Sequence, residues 1–145
     1  MSNVQAIVSR KGSAVLTVGP DARVLDASKL MNEHKIGALI VLDGDRVCGM
    51  FTERDVLRRI VAEQRDPATT TVGQVMTEKV VTCSPDVEID CARNIFMEKR
   101  IRHLPVLDDN QRLVGMISIG DLNAWELNGQ EMKIAALEEY LYGMA

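Results

Sequence analysis

The stretch VLTVGPDARVLDASKLMNEHKIGALIVLD, Val15 to Asp43, recurs as VVTCSPDVEIDCARNIFMEKRIRHLPVLD, Val80 to Asp108. Thr17/Thr82, Pro20/Pro85, Asp21/Asp86, Ala27/Ala92, Glu33/Glu98, Ile36/Ile101, Leu39/Leu104 and Asp43/Asp108 match in register. After a one-residue insertion near Asn110 the register resumes, setting GMFTERD (Gly49 to Asp55) beside GMISIGD (Gly115 to Asp121). A repeat of this length is one supersecondary unit, too small to cover its own apolar face, stacked on a second copy. Two such copies build a cleft between them, and that cleft is where function is to be sought.

Working outward, each copy spells the same order of elements. A β-branched run (Val15 to Val18; Val80 to Cys83) meets a Pro-Asp pair, and apolar residues then recur at helical spacing: Val24, Ala27, Leu30 and Met31, then Ile89, Ala92, Ile95 and Phe96. The uninterrupted apolar runs Ala38 to Leu42 and Leu104 to Leu107 read as buried strands. Turns at Asp43 to Asp45 and Asp108 to Asn110 lead to second strands around Val47 to Phe51 and Leu113 to Ile117, and helices follow over Asp55 to Glu63 and Asp121 to Leu127. The order β-α-β-β-α, twice, is α+β, with a small sheet per repeat and helices on one face. The first repeat spans residues 4–65, a polar connector 66–73 and the second repeat 74–128, leaving a tail at 129–145. Thr71 is placed to cap a short turn from Val72 to Met76. The tail, helical in its spacing from Gln130 to Tyr142, has no counterpart in the repeats, and serves either as a dimer contact or as a helix closing the fold.

A chain of 145 residues suits one compact unit, which buries about 70% of the surface its unfolded form exposes. Three cysteines, Cys48, Cys83 and Cys91, without CxxC spacing argue against a disulfide framework or a zinc site, so no metal is required and a reducing, cytoplasmic setting is expected. No apolar run approaches the length that spans a bilayer and no leader-like segment stands at the N-terminus, so no membrane partner is expected. A net charge of -4 and an aromatic content of 3% disfavour a nucleic-acid platform.

The chemistry-bearing motif is Gly-apolar-apolar-Thr/Ser-x-x-Asp after the last strand of each repeat: Gly49, Thr52 and Asp55; Gly115, Ser118 and Asp121. Taken alone it is a capping box, in which hydroxyl and acid satisfy free amides of the first helical turn. The same residues suit a nucleotide, because a helix start favours phosphate and a carboxylate accepts ribose hydroxyls. Its presence at matched places in both repeats weighs toward binding.

These segments, with VMTEKVVTCSPD, EKRIRHLPVLDD and LVGMISIGDL, resemble a tandem pair of CBS domains over roughly Val4 to Leu127, and are most similar to small stand-alone bacterial and organellar versions. The resemblance implies a Bateman module that binds adenosine ligands such as AMP, ADP, ATP, NAD or S-adenosylmethionine between the repeats. It implies that Asp55 and Asp121 hold ribose and that Thr52 and Ser118 meet phosphate. Adenine would lie near Thr17, Val18 and Pro20 or Thr82, Cys83 and Pro85, against the strand entries Ile36, Gly37 and Ala38 or Ile101, Arg102 and His103, with Pro105 beyond. It also implies flat, disc-like homodimers, in keeping with the apolar face that two short helices per repeat leave on so small a chain.

The copies differ where charge matters. Arg54 of the first motif is matched by Gly120, and Ile36-Gly37-Ala38 by Ile101-Arg102-His103. Arg suits bidentate phosphate recognition, so Arg54, Arg58 and Arg102 join the candidate site; for Arg58, as for its neighbour Arg59, a solvated helix face is the alternative. His103 has no identifiable nucleophile or orienting acid for catalysis, and His34, at a helix end, fits a surface role. The cysteines and most of the eight methionines read as core. The expected function is non-catalytic: an adenine-nucleotide-binding regulatory module, homodimeric, acting on an effector protein in another chain. The alternative is a ligand-free dimeric scaffold whose motifs are only helix caps.

Overall fold

The structure, a computed structural model, describes residues 2–12 and 14–129. Each repeat grows around one amphipathic helix, α2 (Val24–His34) and α5 (Ile89–Lys99). The helical spacing buries Val24, Ala27 and Met31 in α2 and Ile89, Ala92 and Phe96 in α5. Both helices end on a left-handed residue, Lys35 at φ 53° and Arg100 at φ 54°, at corresponding places in the two copies. The chain then turns into a hairpin, β2 (Ala38–Asp43) with β3 (Arg46–Thr52), and later β4 (His103–Leu107) with β5 (Leu113–Ser118). Both hairpins are antiparallel and slip register at matched points, Val41/Leu42 and Val106/Leu107. The α+β architecture with two small sheets follows.

Strand alternation divides the apolar residues between two jobs. Leu39, Val41 and Phe51 face α2 in the first core, and Leu104, Val106 and Ile117 face α5 in the second. Ala38, Ile40 and Met50 pack instead with Leu113, Met116 and Val80, forming the seam that joins the repeats.

An element absent from the sequence reading, α1 (Val4–Lys11), packs in the second core, burying Val4, Ile7 and Val8. The short helix α4 (Val72–Val75) does the same in the first, with Val72 and Val75 buried. Both are tied to the Pro-Asp turns by matching bonds. Val72 N–H donates to Ala22 O and Val4 N–H to Val87 O, both at 2.8 Å; Gly73 N–H donates to Pro20 O at 2.8 Å and Gln5 N–H to Pro85 O at 3.0 Å. The repeats thus exchange segments: α1, at the start of the first repeat, completes the second core, and α4, at the end of the connector, completes the first. Close backbone approach is needed for both, since a Cβ on Gly115 would lie 2.8 Å from Val8 Cγ1, and one on Gly49 would strike Met76.

Three expectations need correction. The strand expected over Val15 to Val18 contracts to β1 (Thr17–Val18), and its counterpart over Val80 to Cys83 is only a lone parallel bridge, Cys83 to Val106. Thr17 pairs with Ile40, but the corresponding partner of Thr82 is Pro105, which has no N–H to give. The helix expected over Asp55 to Glu63 is a short α3 (Glu53–Asp55) running into a π-helical segment, Val56–Val61, whose wider turn is marked by Ala62 N–H donating to Leu57 O. Cys91 is exposed on α5 rather than in the core, whereas Cys83 is buried and Cys48 half-buried. A final helix, α6, occupies residues 119–129; the tail helix expected from Gln130 to Tyr142 lies outside the described residues. No helix among the described residues is long and apolar enough to cross a membrane.

Candidate functional site

Asp55 is the one charged side chain buried among the described residues, at 5% exposure. A buried carboxylate needs partners, and its surroundings supply them. Oδ2 accepts the Thr52 backbone N–H at 2.9 Å and the Thr52 hydroxyl at 3.2 Å, while Thr52 Oγ1 accepts the Asp55 N–H at 3.3 Å. Oδ1 accepts the Thr77 hydroxyl at 3.2 Å and lies 3.7 Å from Arg59 Nε. Arg59 Nη1 in turn donates to the carbonyls of Val75 and Met76, at 2.9 and 2.8 Å. The capping box is therefore formed, and it also ties β3 and the π segment to the chain leaving α4.

Beside this network opens a cleft of about 330 Å³. Gly37, Thr52, Arg54 and Arg58 reach it from the first repeat, and Ile101, Arg102 and His103 from the second. The start of the second repeat also contributes Thr77, Lys79, Val80 and Val81, and Arg100 is the left-handed residue closing α5. His103 is half-buried, and burial pulls its pKa below the usual 6.5; Lys11 and Arg102 act the same way, against Asp121 and Glu53. The ring makes no side-chain hydrogen bond among the described residues, so it is not held as an oriented base.

The second motif is built the same way and used differently. Ser118 N–H donates to Asp121 Oδ2 at 2.8 Å and Asp121 N–H to Ser118 Oγ at 3.1 Å. Lys11, in the last turn of α1, places Nζ 2.6 Å from the same Oδ2. The carboxylate that would hold ribose in a second site is already ion-paired.

The CBS domain family model matches residues 4–62 and 72–127, one copy on each repeat. The chain belongs to the CBS domain family. It is 36% identical over 128 residues to the mitochondrial CBS domain-containing protein CBSX3 of Arabidopsis thaliana, covering 85% of this chain and 62% of that protein, so it spans less than two thirds of that relative. A putative signal-transduction protein with CBS domains from Burkholderia ambifaria superposes with TM-score 0.84 at 41% identity, over 89% of this chain and 96% of that one. The CBS domain pair of MJ0100, in complex with 5-methylthioadenosine and S-adenosyl-L-methionine, shares the fold at TM-score 0.76 and 23% identity, over 86% of this chain and 98% of that one. The tandem CBS module is a regulatory domain.

Of the residues singled out in the sequence, this CBS pair brings Gly37, Thr52, Arg54, Asp55, Arg58, Ile101, Arg102 and His103 to one cleft. The rest lie elsewhere. Thr17 and Val18 pair with β2, and Ile36 packs on the first core. Ala38 is buried at the repeat seam. The Pro20 and Pro85 carbonyls anchor α4 and α1. Thr82 is exposed. Cys83 is buried in the second core, where burial pushes its thiol to about 11, and its N–H donates to Pro105 O at 3.0 Å. Ser118 and Asp121 form the capping box under Lys11. Sequence reasoning missed Thr77, Lys79, Val80, Val81 and Arg100. The signal for all but Arg100 was in the sequence, since VMTEKVV opens the second repeat directly after the connector from the first motif and is short enough to line whatever lies between.

Proposed function

We propose that this CBS pair is a non-catalytic regulatory module that binds an adenine nucleotide, AMP, ADP, ATP or NAD, in the Asp55 cleft. The observation that carries the reading is the meeting, in one nucleotide-sized cleft, of a buried acid from the first repeat with Arg102 and His103 from the second. Asp55 Oδ1 already accepts a hydroxyl, that of Thr77. A ribose hydroxyl makes the same bond once Thr77 rotates away. Binding across the seam favours one arrangement of the repeats, and only such a difference in affinity passes a signal on. The reading includes a cytoplasmic homodimer and a separate effector protein. Leu57 and Val61 on the π segment, Met97 on α5 and Leu127 on α6 are 55–70% exposed and support association through the helices.

The completeness of both capping boxes favours the second reading, a scaffold that binds nothing. Calorimetric titration of the purified protein with AMP, ADP, ATP and NAD separates the two. Binding is expected for wild type and lost in Asp55→Ala, with unfolding followed in parallel because Asp55 also caps a helix. No heat from any nucleotide leaves the scaffold standing.

A further inference from the structure

Six basic residues line the Asp55 cleft against two acids, Glu53 and Asp55, four net positive charges on a chain whose total is -4. Arg59 is committed to Asp55 and to two backbone carbonyls. The other five, Arg54, Arg58, Lys79, Arg100 and Arg102, form no ion pair among the described residues. Cations gathered in a concave site repel one another until an anion enters, and they raise the local concentration of that anion.

We infer that the cleft selects an oligophosphate, and takes it as the free anion rather than as its magnesium complex. This rests on the nucleotide reading above and specifies which nucleotide. A monophosphate brings only about 1.5 to 2 negative charges, which leaves roughly half the cleft's charge unmatched, whereas a triphosphate matches it. Magnesium on a phosphate chain is usually shared with one or two carboxylates. Asp55 already accepts bonds on both oxygens, and no group of three His, Cys, Asp or Glu residues among the described residues suits a metal. The guanidinium and ammonium groups instead do the neutralising that magnesium does in solution, so the ion competes with the site for the phosphates.

Calorimetry with inorganic phosphate, pyrophosphate and tripolyphosphate, and with AMP and ATP, tests this at fixed salt with and without excess magnesium. Affinity is expected to rise about fivefold per added phosphate, the size of one partly exposed charged contact, and to fall on adding magnesium. The double variant Lys79→Ala/Arg102→Ala, at two exposed positions, should bind AMP and ATP alike; the same ATP preference in that variant, with the fold intact, overturns the assignment. Equal binding of AMP and ATP by wild type, or tighter ATP binding with magnesium, overturns the inference and leaves the nucleotide reading intact. Tripolyphosphate binding as tightly as ATP upholds the inference and removes the role of adenosine.

Discussion

Gly115→Ala tests the exchange of segments that builds both repeats. A methyl group there lies 2.8 and 3.1 Å from the two Cγ atoms of Val8, which is 3% exposed and fixed in α1. Val8 cannot retreat, because Val4 and Ile7 hold α1 in the same core. The helix must shift off β5, with an overpacking cost of about 1–3 kcal/mol. Val8→Ala alone leaves a cavity and also destabilises, by about 1–2.5 kcal/mol. In the double variant the methyl added by Gly115→Ala occupies space that the Val8 side chain vacated, so the losses do not add, and a favourable coupling of about 1–2 kcal/mol is expected. Urea denaturation of the four proteins measures the cycle, and amide hydrogen exchange locates the damage, which should fall on β5 and α5 and spare β2 and β3. Additivity within about 0.5 kcal/mol, or lost protection in the first repeat, would refute the exchanged packing.

Three further outcomes follow from individual side chains. Lys11→Met removes the partner of Asp121, costing at most about 1 kcal/mol for so exposed a pair, and calorimetry should then reveal a second, weaker set of nucleotide sites; an unchanged stoichiometry would show that Lys11 does not guard Asp121. His103 has a folded pKa below 6.5, so the unfolded chain takes up its proton first: its contribution to stability is constant above that pH and is lost as pH drops from 6.5 through the depressed folded value. The corresponding decline in urea midpoint should flatten in His103→Gln, with Lys11, Arg102, Asp121 and Glu53 unchanged around it. At mildly alkaline pH a thiol reagent should modify exposed Cys91 first, half-buried Cys48 more slowly because burial and Asp43 raise its pKa, and Cys83, pushed to about 11, only on unfolding; early labelling of Cys83 would contradict its place in the core.

Most of the architecture was legible because it was written twice. Helical spacing in Val24 to Met31 and Ile89 to Phe96, and the apolar runs after them, foretold α2, α5 and the hairpins. Two kinds of feature were not legible. Local chemistry overrode pattern at Pro105, where a missing N–H reduced a strand to a bridge, and in the segment Val56–Val61, where a wider π-helical turn replaced the α-helix that the apolar spacing implied. The role of α1 was hidden more deeply. Val4, Ile7 and Val8 are spaced for a helix, but its hydrophobic partners lie far along the chain, beyond the reach of any local window. At the site, residue types were readable and their grouping was not, because Asp55 shares its cleft with Arg102 and His103 of the other repeat.

The exchange also explains why two copies of one motif do not make two equal sites. The bonds joining Val4 to Val87 and Val72 to Ala22 set α1 and the connector in the same frame, so that Ser9 corresponds to Thr77 and Lys11 to Lys79. The two lysines nevertheless behave differently. In the first repeat Asp55 already has Arg59 beside it and Thr77 bonded to it, and Lys79 at the cleft forms no ion pair among the described residues. In the second repeat the residue matching Arg59 is Trp125, which is uncharged and lies under the Arg10 guanidinium at 5.2 Å. Asp121 then lacks a cation of its own, and Lys11 supplies it at 2.6 Å. The difference of Arg against Trp thus accompanies the difference between a lysine ion-paired to the motif's acid and one with no ion pair among the described residues. The nucleotide reading is accordingly placed at Asp55, with Asp121 as its self-occupied counterpart.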